Sequence, residues 1–283
     1  MALTLKGNSN GYPWNHEPFP TEVKVERLPP EFPSFVRVFL VVHLGPDALA
    51  WTRVRKYVDN VLQALGNQVE LLMTVASSPF SEACQLELEK HLANRPNSRI
   101  IILENRGMDI GPFLWALNCL RQKPSAEQPH IVVKIHSKTH DLWREHLCEP
   151  LFSSPMLVAK LINLLASDPS IGMLGSRYNL YNTRQHCGLN RKFIDDYLRL
   201  LRIPVLDKIP SHAKGQLRFV GGTIFYAKLE ALEPMLSHAN LFNWQEELAV
   251  ARQTDKDRPQ KTHALERLFG VLVQLKNLKI VAV

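Results

Sequence analysis

Four separated blocks of the chain carry side chains able to bind anions or move protons. The first, Asn105-Arg106-Gly107-Met108-Asp109-Ile110-Gly111-Pro112-Phe113, places a cation and a carboxylate within reach of a polar ligand. Its two glycines permit positive φ or close backbone approach. The second, Lys134-Ile135-His136-Ser137-Lys138-Thr139-His140, gathers two lysines and two histidines. Alternate side chains of a strand share a face, so Lys134, His136 and Lys138 point one way if the strand extends that far. A lysine in an apolar run such as Ile131–Ile135 is costly unless paired or wetted in a cleft. Third, Phe219-Val220-Gly221-Gly222-Thr223-Ile224-Phe225-Tyr226-Ala227 reads as one strand interrupted by two glycines, which mark a bulge or the close approach of a ligand. Fourth, His263, Glu266 and Arg267 fall at i, i+3 and i+4 on one helical face, where a Glu beside a His is a workable general base.

Each block has a plainer reading beside it: Asp109 as a helix cap with Arg106 as its surface partner, a snorkelling lysine, a simple bulge, a solvated ion pair. A metal held by His136 and His140 would need a helix or a third ligand, and the sequence offers neither.

The surrounding pattern says what must position these blocks. Val36–Leu44 is an apolar, β-branched run of the kind that forms a buried parallel strand, and a helix capped by Asp47 follows to Leu65. Strands at Val69–Val75, Arg99–Leu103 and Ile131–Ile135 alternate with helices near Ser81–Leu92 and from Gly111. Such alternation predicts βαβ units and a Rossmann-like, mostly parallel sheet flanked by helices. The first block then sits in a strand-to-helix turn at a strand's carboxyl end, where open α/β sheets bind ligands and a helix N-terminus offers free N–H groups. A sugar nucleotide suits that mixture. Farther on, helices are expected at Pro155–Ala166, Lys192–Leu201, Leu229–Leu236 and Thr262–Leu275, a strand at Ile171–Leu174, and polar stretches at Ser176–Asn190 and Asn240–Gln260.

Composition narrows the classes. The chain has 283 residues, 45% of them hydrophobic, enough for a substantial core, and a formal charge of +7 that favours anionic partners. No run of five Lys/Arg occurs and aromatics do not interleave with basic residues, which argues against a nucleic-acid surface. Cysteines 84, 119, 148 and 187 form no Cys-x-x-Cys pair, as expected for a reducing compartment. No signal peptide or stretch of ~20 apolar residues is evident, so a cytoplasmic location is expected. Neither a Gly-x-x-x-x-Gly-Lys-Ser/Thr loop nor a Gly-x-Ser-x-Gly elbow is present, which disfavours other nucleotide-binding hydrolases. Six of the nineteen prolines fall in the first 33 residues, so residues 1–34 read as an extended arm ahead of one domain over 35–283.

With its four blocks in this order, the chain resembles the rhamnan synthesis F family of bacterial polysaccharide proteins over roughly residues 35–275. More distantly, Asn105-Arg-Gly with Ala116-Leu-Asn118 resembles the corresponding turn and helix of glycosyltransferases with a GT-A fold. The resemblance implies an α/β GT-A-like domain and a glycosyltransferase of the hexosyltransferase class. The expected reaction is single-displacement transfer of rhamnosyl or a related deoxyhexosyl group from a nucleotide sugar, dTDP-rhamnose favoured, to a growing polyprenyl-linked glycan. Contact would be peripheral, at the cytoplasmic membrane face. It further implies that Asn105, Arg106, Asp109, Lys134, His136 and Lys138 line the donor, and that Gly221, Gly222, Thr223 and Arg267 lie on the acceptor side. Glu266 is the first choice of base and Glu247 the second, with His263 beside them. The Asp-x-Asp metal motif of GT-A enzymes is missing where it is expected, since Asp255-Lys-Asp257 falls too late in the chain. A divalent cofactor therefore has no support, and Lys134, Lys138 or Arg106 would have to neutralise the diphosphate. The alternative is a catalytically inactive GT-A-like module that binds glycan or partner proteins.

Overall fold

A computed structural model describes residues 36–121, 130–209, 217–238, 241–249 and 260–283. The elements in chain order are β1 (Arg37–Leu44), α1 (Ala50–Leu65), β2 (Val69–Ala76), α2 (Ser81–His91), β3 (Ser98–Leu103), α3 (Ile110–Leu120), β4 (His130–His136), α4 (Asp141–Phe152), α5 (Pro155–Ser167), β5 (Ile171–Gly175), β6 (Leu180–Asn182), α6 (Thr183–His186), α7 (Arg191–Leu200), β7 (Arg218–Val220), β8 (Phe225–Lys228), α8 (Glu233–Leu236), α9 (Leu241–Glu246), α10 (Lys261–Leu275) and β9 (Lys279–Ala282). Seven strands form one sheet in the order β3-β2-β1-β4-β8-β5-β9, and β6 pairs with β7 apart from it.

Apolar side chains on both faces of the central strands account for the two-sided burial. Phe39 and Val41 of β1 join the core beneath α3, α7 and α10, whereas Val38, Leu40 and Val42 face α1, α4 and α5. The pairs β1–β2, β1–β4, β2–β3 and β5–β9 are parallel. Strand β8 runs antiparallel to both β4 and β5, so the sheet is mixed although mostly parallel. The chain leaves β1 toward β2 and β3, then returns to place β4 on the other side of β1. That reversal is a topological switch point at the carboxyl ends of β1 and β4, the position at which doubly wound sheets accept ligands.

Four expectations need correction. The run 219–227 is two strands in two sheets: Gly222 and Thr223 have φ of +78° and +53°, and the turn they make sends β8 into the main sheet while β7 stays with β6. Between β4 and the helix expected at Pro155 no element is expected, yet α4 begins five residues past β4, where His140 accepts the Trp143 N–H as its cap, and Pro150 disguises the helical pattern. The supposed polar stretch from Asn240 contains α9. Helix α1 starts at Ala50, with Asp47 accepting the Leu49 N–H ahead of it. The arm at 1–34 and the Asp255-Lys-Asp257 segment lie outside the described residues. Among those described, no single helix is long and apolar enough to cross a membrane; α4 and α5 pass only as a pair bent by 67°.

Candidate functional site

Block one reaches the site through backbone geometry. Gly107 and Met108 both have positive φ, at 62° and 54°, and a Cβ on Gly111 would fall 2.0 Å from the Arg106 carbonyl oxygen. The tight turn seats Asp109 at the start of α3, yet its side chain does not cap that helix. It turns instead toward β4. Lys134 and His136 alternate with Val132 on the face of β4 that looks at α3, as the period of two requires.

There Lys134 Nζ donates to Asp109 Oδ2 at 2.6 Å, to Thr223 Oγ1 at 2.8 Å and to the Thr223 carbonyl at 3.0 Å. The Thr223 hydroxyl in turn donates to Asp109 Oδ2. Lys134 is only 1% exposed, and these contacts use all three of its N–H bonds. His136 Nε2 donates to the Gly222 carbonyl at 2.6 Å and stands 3.5 Å from Asp109 Oδ2. Gly222 N–H donates to Glu266 Oε1 at 2.7 Å, and Arg267 Nη1 donates to Glu266 Oε2 at 3.1 Å and to the His263 carbonyl at 2.5 Å. Members of all four sequence blocks thus form one connected network at the carboxyl end of β4.

The electrostatics follow from burial and pairing. Burial works to raise the Asp109 carboxyl, but the neighbouring charges outweigh it and hold the group well below the ordinary carboxylate range. The charges that lower it are His136 first, then Lys134 and Lys138, while burial pushes His136 itself well below its usual value. Burial also lowers Lys134, with Asp109 opposing it. Lys138 lies past the end of β4, with Nζ 3.9 Å from Asp109 Oδ1 and 4.4 Å from the centre of the Trp143 ring. Its side chain keeps 17% exposure, and it is the lysine here with N–H bonds to spare for a ligand.

The remaining predicted residues divide. Among the described residues, Asn105 Oδ1 is buried without a hydrogen-bond partner. Arg106 faces away from the network, pairing with Glu104 at 2.6 Å and donating to the Glu246 carbonyl. Glu247 forms an exposed ion pair with Lys261 at 2.6 Å. Gly221 donates its N–H to the Asn179 carbonyl at 2.7 Å. His263 is half-buried, and burial lowers its pKa while Glu266 opposes the shift.

A divalent cation does not fit the buried carboxylate: the Lys134 ammonium and the Thr223 hydroxyl already fill Asp109 Oδ2. Among the described residues no group of three or more His, Cys, Asp and Glu could hold a metal ion.

Sequence reasoning missed His43. It pairs in register with His136 and Thr74, and its Nδ1 lies 2.9 Å from Thr74 Oγ1. The available signal was a lone imidazole near the carboxyl end of an otherwise apolar strand. Burial pushes its pKa down to about 4. A folded pKa below the unfolded value near 6.5 means that the unfolded chain binds the extra proton. The contribution of His43 is therefore complete above pH 6.5 and is lost as pH falls toward 4, by about 3 kcal/mol. Urea midpoints at pH 7 and pH 5 should show the fall, and His43→Leu should flatten it; an equal slope in both proteins would exclude His43 as its source.

The rhamnan synthesis protein F profile matches residues 55–278. An uncharacterized protein, WxcX, from Xanthomonas campestris pv. campestris is 30% identical over 177 residues, which cover 60% of this chain and 23% of that protein, in each of two strains. The chain thus matches under a quarter of the relatives' length. Among solved structures, mouse xyloside xylosyltransferase 1 is similar at 11% identity over 88% of this chain and 85% of that one, with a TM-score of 0.39. A mannosyltransferase from Pyrobaculum calidifontis in complex with GDP-Man and Mn2+ gives 14% identity, 95% and 59% coverage and a TM-score of 0.42. The glucosyl-3-phosphoglycerate synthase of Mycobacterium tuberculosis gives 13%, 86% and 79%, with 0.35. Identities and scores this low fix neither donor nor reaction. The family rests instead on the profile, which spans most of the chain and takes in all four motif blocks: this chain belongs to the rhamnan synthesis protein F family.

Proposed function

We propose that the chain is a glycosyltransferase domain that moves a rhamnosyl or related deoxyhexosyl group from a nucleotide sugar to a growing lipid-linked polysaccharide, working at the cytoplasmic face of a membrane. The observation that carries this reading is the convergence of four blocks, distant in sequence, on one buried ionic network at the carboxyl end of β4. In single displacement, a base takes the proton of an acceptor hydroxyl as that oxygen attacks the anomeric carbon and the bond to the diphosphate breaks. Charge then grows on the leaving group. Among the described residues of the network, Lys138 is the cation free to meet it, whereas Lys134 is saturated and acts as a positioning residue for Asp109 and Thr223. Asn105, with its orphaned oxygen, is the donor-side acceptor of a ligand hydroxyl or N–H. Glu266 is the base; each of its oxygens accepts one hydrogen bond and keeps a lone pair free. Glu247, already paired in solvent with Lys261, is the poorer candidate.

The engagement of both Glu266 oxygens also favours one rival, a non-catalytic module that binds glycan or a partner. Calorimetric titration with dTDP-rhamnose and UDP-sugars, in EDTA and then with magnesium or manganese, separates the two. Selective micromolar binding that needs no metal is expected. A folded sample that binds no sugar nucleotide would overturn the transferase reading in favour of the module.

A further inference from the structure

The turn that carries Thr223 is walled by two aromatic rings. A Cβ on Gly221 would come within 2.4 Å of Tyr181 Cε2, and one on Gly222 within 3.4 Å of Trp143 Cζ2. Both rings therefore lie against the backbone whose Gly222 N–H is held by Glu266. Tyr181, on β6, is half-buried and tilts against Phe219 at 5.7 Å and the exposed His186 at 5.1 Å. Trp143, on α4, is also half-buried and donates its indole N–H to Asn179 Oδ1 at 3.1 Å. Asn179 is fully buried, and among the described residues its Nδ2 finds no acceptor at the same wall.

Large flat rings that keep solvent exposure beside charged groups match the make-up of a small-molecule site: apolar aromatic walls with a few placed polar groups. A pyranose has matching faces, an apolar C–H face and a rim of hydroxyls. A base must also stand within hydrogen-bond reach of the hydroxyl it deprotonates, so the acceptor sugar must lie next to Glu266. What lies next to Gly222 and Glu266 is this wall.

Building on the glycosyl-transfer reading, we propose that Tyr181 and Trp143 form the acceptor-sugar subsite, with the C–H face of the terminal pyranose stacked on the rings and its reacting hydroxyl turned to Glu266.

The test pairs saturation-transfer NMR, using methyl α-L-rhamnopyranoside and methyl glucopyranoside as probes, with calorimetry of dTDP-rhamnose on the same samples. Glycoside ring protons should receive saturation from the wild-type chain. Tyr181→Leu, which keeps bulk but loses the ring, should weaken glycoside binding roughly three- to tenfold and leave sugar-nucleotide affinity unchanged. Tyr181→Phe should retain binding. If Tyr181→Leu fails to fold, Tyr181→Met provides the same reading. Equal glycoside binding by the ring-less and wild-type proteins overturns the subsite, as does a wild type that binds dTDP-rhamnose but neither glycoside. Loss of both ligands by wild type is a different result: it removes the transferase reading and the subsite with it.

Discussion

Replacing Lys134 with methionine should lower stability by about 3–5 kcal/mol, because it strands a buried carboxylate. Asp109 would keep one short hydrogen bond, from the Thr223 hydroxyl; His136 Nε2, at 3.5 Å, is committed to the Gly222 carbonyl, and Lys138, at 3.9 Å, is too far to hydrogen-bond. The loss should appear as a lower urea midpoint at pH 7 with little change in slope. Adding Asp109→Asn should recover most of it, since a neutral amide carries no unpaired charge into the core. The double variant should still fail to bind sugar nucleotide, because the bonds that hold Thr223 at φ +53° are gone. A single-variant loss under about 1 kcal/mol would mean that Asp109 reaches water, and the buried-network account would fall. Lys134→Arg is not a conservative control: a planar fork cannot reproduce three bonds converging on one ammonium.

The sequence revealed different parts of this structure for different physical reasons. Strands β1, β2 and β4 were legible because burial on both faces forces unbroken apolar runs, whereas β3, a half-buried edge strand, was marked by its Ile100-Ile101-Ile102 run and the glycine-bearing turn after it. Lys134 stood out because its charge interrupts such a run, and its partner turned out to be Asp109, twenty-five residues earlier. By contrast, no local pattern shows that Gly221-Gly222 separates two sheets. That follows from where β8 finds hydrogen-bond partners, beside β4 and β5, and those contacts are remote in sequence. His43 was missed for a related reason, since its site is made by Thr74 and His136 on the strands to either side. Strand β9, only four residues long, is recognisable by its pairing with β5 rather than by its own residues. Arg106 has a role that no local pattern shows: it ties the turn to the end of α9, 140 residues later, through the Glu246 carbonyl.

Glu266→Gln should reduce turnover by about 10²- to 10⁴-fold while leaving donor affinity intact, the range associated with loss of a positioned acid or base. Glutamine keeps an oxygen to accept the Gly222 N–H, so the turn should survive and the charge alone is removed. The competing base is His263, one turn earlier on α10. Burial lowers its pKa from 6.5, so the imidazole is neutral at pH 7, and among the described residues no hydrogen bond occupies its ring. The pH profile distinguishes the two. A His263 base is fully active above pH 6.5 and loses activity as pH falls through its lowered pKa. Because the Glu266 charge raises that pKa, removing it should move the acid limb to still lower pH with turnover largely kept. If Glu266 is the base, the variant is instead slow at every pH and His263→Gln is the milder change. Sugar-nucleotide turnover of both variants from pH 5 to 8 decides the assignment: retained activity in Glu266→Gln with a displaced acid limb would hand the role to His263, and a uniform loss would fix it on Glu266.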